Sequence, residues 1–411
     1  MLLGFKTKLK LNNQQRTQMA KHAGVARHAW NWGLGLTKQI LNHNQNNPSD
    51  KIKFPSAIDL HKWLVALVKP QYPWYYESSK CAPQFALRQL RDAWGRAFKK
   101  RTAHGEVSSP CGRSKKTSQP PRFKRKGRND SFTLDGTIKV VDHYKIQVPK
   151  IGVIKTYERL PLGYKPKSVT ISRKADHWFI SFKIEVEPKP THKAVDTVGV
   201  DLGVKTLAYL STGVSFEGAK AYQRYEKRLS RLQWLNRKKV IGSHNWKKAQ
   251  LKIAKLHVKI TNIRQDTLHK ITTYLAKNHS KIVIEDLNVG GMLRKRCDPA
   301  PPTGARERAP RHGKLATAIA DMGFYEFRRQ LEYKCQLYGS ELIIADRWFP
   351  SSKTCSNCGW YNPDLKLSDR WFLCAECGSF LDRDGNAAIN LSRWSHHRTQ
   401  ACGQVAADSL G

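Results

Sequence analysis

Four cysteines near the C-terminus have the spacing of a metal site. They form two Cys-x-x-Cys pairs separated by fifteen residues, and a glycine follows the second cysteine of each pair. The cysteines are Cys355, Cys358, Cys374 and Cys377. Each pair can chelate a metal from a tight turn, and four thiolates provide the closed tetrahedral coordination of structural zinc. The sequence therefore predicts one structural Zn²⁺ ion, which would support the fold rather than perform chemistry.

Three acidic residues stand where elements of one domain are predicted to end or begin. Asp201 ends a predicted strand at 198–201, Glu285 ends a predicted buried strand, and Asp384 precedes a predicted helix. A single acid in such a place is commonly a solvated terminus or a helix cap. Three carboxylates brought together repel one another unless a cation joins them, and hard oxygen ligands suit Mg²⁺ or Mn²⁺. Two such ions could activate a water molecule and stabilise the leaving oxygen of a phosphodiester.

The charge of the chain points to a polyanionic partner. Among 411 residues, 73 are Lys or Arg and 32 are Asp or Glu, which gives a net charge of +41. Such an excess does not stabilise a fold, and its usual counterpart is nucleic acid. A membrane surface is the rival partner, but no stretch approaches the about 20 apolar residues that cross a bilayer. The N-terminus becomes polar too early for a secretory signal, so we expect a cytoplasmic protein without a membrane partner.

The remaining cysteines do not suggest a disulfide framework. Five are scattered without regular spacing, at Cys81, Cys111, Cys297, Cys335 and Cys402. An odd total and irregular spacing favour a reducing compartment and ordinary thiols.

The N-terminal half is predicted to combine helices with short strands. Residues 3–11 favour a strand, and helices are expected at about 14–42 and 83–100 from the recurrence of apolar residues. Residues 103–130 are basic and rich in turn-forming residues, which predicts an exposed connection. From 131 to 188, short β patterns separated by turns predict a small barrel or sandwich.

The C-terminal half alternates strands with helices, which predicts an α/β domain. The expected elements are strands at 198–201 and 206–216, a long helical stretch at 219–278, a strand at 281–285, a basic loop at 293–312, a helix at 315–338 and a strand at 341–345.

Two basic stretches are candidates for nucleic-acid contact. In the long helical stretch, cations recur with aromatic rings, so bases could stack while phosphates are neutralised. The candidates there are Arg231, Trp234, Arg237, Lys238 and Lys247. The second stretch lies in the N-terminal half, where the candidate contacts to a nucleic-acid backbone are Lys124, Arg125, Lys126 and Arg128. The alternative is a solvated helix face, which a run of charges often forms.

Three sequence blocks resemble those of a RuvC-type nuclease, which has an RNase-H-like fold. They are Gly199-Val-Asp-Leu-Gly-Val-Lys, Ile284-Glu-Asp-Leu-Asn-Val and Asp382-Arg-Asp-Gly-Asn-Ala-Ala. With the cysteine module inserted before the third block, the chain closely resembles the TnpB family of transposon-encoded, RNA-guided DNA endonucleases. This family is related to the compact type V CRISPR effectors. The likeness covers nearly the whole chain and includes Arg27 and Asn31, which are further candidates for nucleic-acid contact.

The resemblance implies a multi-domain α/β plus β-barrel architecture. A helical recognition module would be inserted in a small β-barrel, or wedge, domain, and an RNase-H-like RuvC domain would carry an inserted zinc ribbon. The implied divisions are 1–11 (first wedge strand), 12–118 (helical module), 119–190 (wedge), 191–349 (first RuvC part), 350–380 (zinc ribbon), 381–395 (last RuvC block) and 396–411 (flexible tail).

The resemblance also implies roles for the acids. Asp201, Glu285 and Asp384 would be the catalytic residues and would bind two Mg²⁺ or Mn²⁺ ions. Asp384 is preferred over Asp382 because the family's acid stands two residues before the asparagine of the third block, with Asp382 as the alternative. Asp286 would be a neighbour that does not bind metal.

The implied partners are a guide RNA from the transposon end and a double-stranded DNA target marked by a short adjacent motif. The expected location is the prokaryotic cytoplasm, in association with the nucleoid, and the oligomeric state stays open. Two rivals remain: an RNase-H-like DNA transposase that acts without RNA, and an RNA-guided DNA binder that does not cleave. The complete set of three acids argues against the second rival.

Overall fold

The computed structural model describes residues 1–102, 120–293, 313–366 and 368–394. The chain divides into two compact units, residues 2–186 and residues 187–411, and the second unit also includes Met1. Most of the predicted connection at 103–130, nearly all of the predicted loop at 293–312, and the predicted tail at 396–411 lie outside the described residues.

An antiparallel sheet of seven strands forms part of the first unit, in the order β2-β6-β7-β1-β5-β4-β3. The strands are β1 (Leu2–Lys10), β2 (Ser131–Asp135), β3 (Lys139–Asp142), β4 (Lys145–Val148), β5 (Gly152–Thr156), β6 (Ser168–Lys174) and β7 (His177–Glu185). The N-terminal strand lies between β7 and β5, so it joins strands that follow more than a hundred residues later. The edge strands of the described sheet are β2 and β3, so the closed barrel remains a prediction.

Two long helices supply much of the rest of the core of this unit. They are α1 (Asn13–Asn46) and α3 (Cys81–Thr102), with the short α2 (Ala57–Trp63) between them. Asn12 and Gln15 close a capping box at the start of α1. The two long helices touch at Gly33, where an added Cβ would lie 2.8 Å from Leu87 Cδ2. Both helices extend a few residues beyond the predicted bounds.

The second unit contains a mixed sheet of five strands in the order β10-β9-β8-β11-β12. The strands are β8 (Val195–Asp201), β9 (Ala208–Leu210), β10 (Ser215–Phe216), β11 (His279–Glu285) and β12 (Glu341–Ala345). The first three are antiparallel neighbours, whereas β11 runs parallel to both β8 and β12. The predicted α/β domain is therefore present, and its central strands are the two that end in Asp201 and Glu285.

The second unit also contains helices. They are α4 (Ala221–Arg237), α5 (His244–Asn278), α6 (Val289–Met292), α7 (Lys314–Met322) and α8 (Phe324–Tyr338), followed by α9 (383–394). The predicted helical stretch at 219–278 consists of two helices, because the chain turns at Gly242 (φ +87°) and Ser243 caps a new helix. The predicted helix at 315–338 is likewise divided at Gly323, where φ is +78°. No described helix is both long enough and apolar enough to cross a membrane.

The two faces of this sheet are covered by different helices. Apolar side chains of α5, α7 and α8 pack with the sheet in one buried cluster. On the other side, Leu391 of α9 packs with Val283 and Ala345. The short hairpin β13 (Trp371–Leu373) and β14 (Phe380–Asp382) lies between β12 and α9 in the sequence. Strand β14 therefore leads directly into α9, which places the cysteine module next to the third acid along the chain.

Candidate functional site

Two of the predicted acids lie side by side at the ends of the central parallel strands. Val200 of β8 is in register with Ile284 of β11, so Asp201 and Glu285 follow at the same level. Both apolar residues that precede the acids are buried. Because parallel strands end at the same edge of a sheet, the two carboxyl groups share a partly buried position there.

The third acid reaches this edge because α9 packs very closely on β8. An added Cβ at Gly199 would lie only 2.0 Å from the carbonyl oxygen of Ala388 and 2.4 Å from the backbone nitrogen of Ser392. Near the helix start, Gly385 faces the ring of Tyr209, with 3.3 Å from an added Cβ to the nearest ring carbon. These contacts allow Asp384, the second residue of α9, to approach Asp201.

The electrostatics of the site reflect burial and mutual repulsion. The pKa of Asp201 is raised to about 8, first by burial and then by the negative charges of Glu285 and Asp384, while Arg383 opposes the rise. Burial also raises the pKa of Glu285, and a hydrogen bond from the Ser351 hydroxyl partly offsets that rise. A cation placed among these groups would relieve both the desolvation and the repulsion.

The neighbouring acids have other partners. Asp382 accepts hydrogen bonds from the backbone N–H groups of Asp384 and Gly385, both at 3.0 Å, and so caps α9. Asp286 forms ion pairs with Arg328 and Arg347, and the hydrogen bond from Arg328 is the main reason that its pKa is lowered. Neither carboxylate is among the negative charges that raise the pKa of Asp201.

The acid site suits hard cations, but the three carboxylates are not tightly clustered. Among the described residues, only the four cysteines bring three or more possible ligand atoms all within 4.8 Å of one another. Arg383 also donates to Asp384, at 3.3 Å. A pair of ions about 3.5–4 Å apart can be held by carboxylates that are more widely spaced than the ligands of a single ion.

A substitution at Gly199 should disturb this site without changing any acid. The added methyl group of Gly199→Ala meets backbone atoms of α9, so the helix and Asp384 must move. We expect the unfolding free energy to fall by at least about 1–3 kcal/mol, as in overpacked cores. Nucleic-acid cleavage should also be slower. Chemical denaturation and a cleavage assay would test this prediction.

The matched control is Gly290→Ala in the same unit. There the nearest side-chain atom lies 3.9 Å from the added Cβ, so stability and cleavage should change little. A Gly199→Ala protein that matches this control in both measurements would contradict the close packing of α9.

The four cysteines form two similar turns. Gly359 donates its N–H to the Cys355 carbonyl at 3.0 Å, and Gly378 donates to the Cys374 carbonyl at 3.1 Å. Both glycines have positive φ angles, of +83° and +67°, which a residue with a Cβ adopts only with strain. The glycine that follows each pair in the sequence therefore closes its turn.

The sulfur positions fit a tetrahedral metal site. The Sγ atoms of Cys355 and Cys377 are 3.7 Å apart, and those of Cys358 and Cys374 are 3.4 Å apart. Four sulfurs at about 2.3 Å from a central Zn²⁺ would lie about 3.8 Å from one another. Cys355 and Cys374 are buried, and Phe372 packs beside them in a small apolar cluster. The cluster could therefore hold a zinc ion.

Several residues that connect the two sites escaped the sequence analysis. Arg383 stands within the acid site, Ser351 donates to Glu285, and both Asn386 and Asn390 of α9 bond to the start of the cysteine module. The pattern Asn386-x-x-x-Asn390 was the available signal, because residues four apart lie on one face of a helix.

Three of the predicted nucleic-acid contacts have partners within the first unit. Arg27 pairs with Asp130 at 3.2 Å, and the Asn31 side chain bonds to both the backbone N–H and the carbonyl of Lys124. The ammonium group of Lys124 lies 4.0 Å from the centre of the Trp30 ring. These contacts fix the segment around Lys124 on α1, and a nucleic-acid role for the three residues remains a prediction.

The other predicted contacts are exposed. In the first unit these are Arg125, Lys126 and Arg128, and in the second unit they are Arg231, Trp234, Arg237, Lys238 and Lys247. Lys238 lies over the Trp234 ring at 4.9 Å, and half of Trp234 is open to solvent. An exposed ring beside cations on α4 is suited to stack on a base.

Family models match three parts of the chain. A model described as "Probable transposase" matches residues 181–296, and one described as "Cas12f1-like, TNB domain" matches residues 324–391. A third, described as a helix-turn-helix domain, matches residues 1–46. In that third region the chain forms one strand and one uninterrupted helix, so no helix-turn-helix is present there.

Relatives cover between about half and almost all of the chain. The protein named "TnpB-like protein L79" of Acanthamoeba polyphaga mimivirus is 27% identical over 56% of this chain and 44% of its own length. "Putative RNA-guided DNA endonuclease InsQ" of Escherichia coli (strain K12) is 34% identical over 98% of this chain and 94% of its own length. The chain belongs to the TnpB family. The fold of this TnpB-family chain is also similar to that of Cas12f1 in its complex with sgRNA and target DNA, with a TM-score of 0.51. That match covers 92% of this chain and 82% of Cas12f1, at 16% identity.

Proposed function

We propose that the chain is an RNA-guided DNA endonuclease and that Asp201, Glu285 and Asp384 are its catalytic residues. The observation that carries the proposal is their convergence at the ends of β8 and β11 and the start of α9. Burial and mutual repulsion raise the pKa of Asp201 to about 8. A carboxyl pKa raised by burial and by neighbouring negative charges is typical of a site that binds a cation. The strand order β10-β9-β8-β11-β12 supports an RNase-H-like nuclease domain.

The chain's own residues would place negatively charged carboxylates at fixed positions around the metal ions. When bound, two Mg²⁺ or Mn²⁺ ions would supply Lewis acidity for the attacking water and the leaving oxygen of the phosphodiester. Asp201 and Glu285 would present their carboxylates from rigid strands, while Asp384 would present its carboxylate from the first turn of α9. Asp382 would contribute by capping that turn rather than by binding metal, since its Oδ1 atom accepts two backbone hydrogen bonds.

The zinc and domain assignments belong to the same proposal. One structural Zn²⁺ would be held by the four cysteines, within the ribbon at 350–380. The helical module (12–118) would be inserted in the wedge module (1–11 and 119–190), and the nuclease domain would comprise 191–349 and 381–395. The observed boundary between the two units, at 186/187, supports the division between the wedge and nuclease modules.

A guide RNA would select the target. Two arguments support this: the net charge of +41, and relatives whose names include RNA-guided DNA endonuclease. Base pairing would supply sequence specificity, while the protein would hold the heteroduplex backbone and read a short motif beside the target. We also propose that the guide derives from the transposon end and that the protein is associated with the nucleoid.

Purification with and without nuclease treatment tests this proposal against the transposase rival. We expect a single abundant structured RNA to co-purify and to be required for DNA cleavage. A protein without specific RNA that joins DNA strands would be the transposase instead. A complex that binds its target but never cuts it, even with Mn²⁺, would be the non-cleaving binder.

A further inference from the structure

The start of the cysteine module touches the acid site directly. Ser351 follows β12 and the turn at Pro350, and its side chain is buried, with 3% of the residue exposed. Its hydroxyl donates a hydrogen bond to Oε1 of Glu285. A carboxylate has about four acceptor positions, so the Glu285 side chain keeps others free. The hydroxyl therefore fixes the carboxylate's orientation without occupying it completely.

Ser351 is itself fixed by the helix that carries the third acid. Asn390 of α9 donates to the Ser351 carbonyl at 2.8 Å and to the Thr354 carbonyl at 2.6 Å. One turn earlier, Asn386 donates to the same Thr354 carbonyl at 2.7 Å and accepts from the Ser356 N–H at 2.8 Å. Both asparagines are buried, so each of these bonds lies in a region of low dielectric.

These contacts form one continuous path between two of the acids. It runs from Glu285 on β11 through Ser351 to Asn390, which lies on the same helix as Asp384. These bonds fix the end of β11 relative to α9, although the two elements are far apart in the sequence. The first cysteine of the module follows Ser351 by four residues, so the fold of the module holds the middle of this path.

We propose that Ser351 is a positioning residue that orients Glu285 for divalent metal, and that the base of the cysteine module thereby joins the second and third acids. This inference rests on the proposed function, since it assumes that Glu285 binds metal. Partners that orient metal ligands typically contribute 10–100-fold to metal affinity. Ser351→Ala should therefore weaken Mn²⁺ binding by about 10–100-fold.

The test is a Mn²⁺ titration followed by electron paramagnetic resonance at pH 8.5, on full-length protein freed of nucleic acid. The matched control is Ser356→Ala, which removes a buried hydroxyl from the same module. Ser356 contacts Asn386 and Arg393 through its backbone, so this variant should bind Mn²⁺ as the unsubstituted protein does. Zinc content should be unchanged in both variants.

Cleavage provides a second readout. If Ser351 acts through the metal, raising the Mn²⁺ concentration should restore most of the cleavage rate of Ser351→Ala, whereas a structural defect would not respond. The inference is overturned if Ser351→Ala binds Mn²⁺ normally, if it loses zinc, or if Ser356→Ala shows an equal loss.

A reference variant separates this inference from the proposed function. Glu285→Gln should lose Mn²⁺ affinity more strongly than Ser351→Ala. If Glu285→Gln binds Mn²⁺ normally, the proposed metal site fails, and the role of Ser351 fails with it. If Glu285→Gln loses affinity while Ser351→Ala does not, only the positioning role fails.

Discussion

Asp201→Asn should abolish DNA cleavage while the protein still co-purifies with its RNA. The substitution keeps the size of the side chain but removes the negative charge at the end of β8. Metal ions at such sites contribute several kcal/mol to stabilising the transition state, so a loss of roughly 10³-fold in rate is expected. Single-turnover cleavage of a matching target with Mg²⁺ would measure the effect. Unchanged cutting would remove Asp201 from the catalytic set.

Without bound divalent metal, the Asp201→Asn variant should be more stable at pH 8 than the unsubstituted protein. The folded-state pKa of Asp201 is raised from 3.8 to about 8, so the folded protein holds a proton that the unfolded chain releases. Stability from this group is present below pH 3.8 and is lost as the pH rises towards 8. The amide that replaces the carboxyl group does not titrate, so at pH 8, in buffer without Mg²⁺ or Mn²⁺, the Asp201→Asn protein should unfold a few degrees higher than the unsubstituted protein. At pH 4 the difference should nearly vanish.

Asp286→Asn is the matched control, and its unfolding temperature at pH 8 should change in the opposite direction. Its carboxylate bonds to Arg328 and Arg347, which lower its pKa, so its contribution is present above the unfolded pKa and is lost in acid. Asp286→Asn should therefore lower the unfolding temperature at pH 8. Because this pair is partly exposed, the change should be small. Equal shifts for the two variants would contradict the description of the acid site.

Replacing two cysteines should have the largest effect on folding. In Cys355→Ser with Cys374→Ser, each pair loses its buried thiol, so zinc content should fall from about one ion per chain to none. Structural zinc contributes about 10–16 kcal/mol to folding in small zinc modules. The module should unfold locally and cleavage should be lost, because its first residues bond to Glu285 and α9. Metal analysis and limited proteolysis would measure both changes.

The control removes two buried thiols elsewhere. Cys81 and Cys335 are buried in the first and second units and are not part of the cysteine cluster. Cys81→Ser with Cys335→Ser should keep the zinc and the protease resistance of the module. A Cys355→Ser, Cys374→Ser protein that retained a full zinc ion would contradict the site.

Local patterns in the sequence were sufficient for the elements that carry the chemistry. The acids at the ends of β8 and β11 follow short apolar runs, and the two cysteine pairs each define a turn by spacing alone. The helix breaks were harder to predict. Near Gly323, apolar residues continue the helical spacing, and the positive φ of this glycine ends α7. Helix α4 already ends at Arg237, and the turn that contains Gly242 separates it from α5.

Contacts between distant segments could not be predicted from the sequence. The closeness of α9 to β8 depends on Gly199, whose function is visible only when backbone atoms of Ala388 lie against it. The Ser351–Glu285 bond joins residues 66 positions apart, and nothing in the spacing of a single serine indicates a partner. Conversely, Arg27 and Asn31 have partners within the protein, which their residue types alone did not reveal.

The most direct test of the account is to redirect the enzyme through its RNA. The RNA that co-purifies would be sequenced, its target-pairing segment replaced by an unrelated sequence, and the complex rebuilt and given plasmids matching each version. We predict that Mg²⁺-dependent cleavage moves to the new target, and that Asp201→Asn cuts neither plasmid. Cutting that ignores the change of RNA, or that persists after the RNA is digested, would contradict the account.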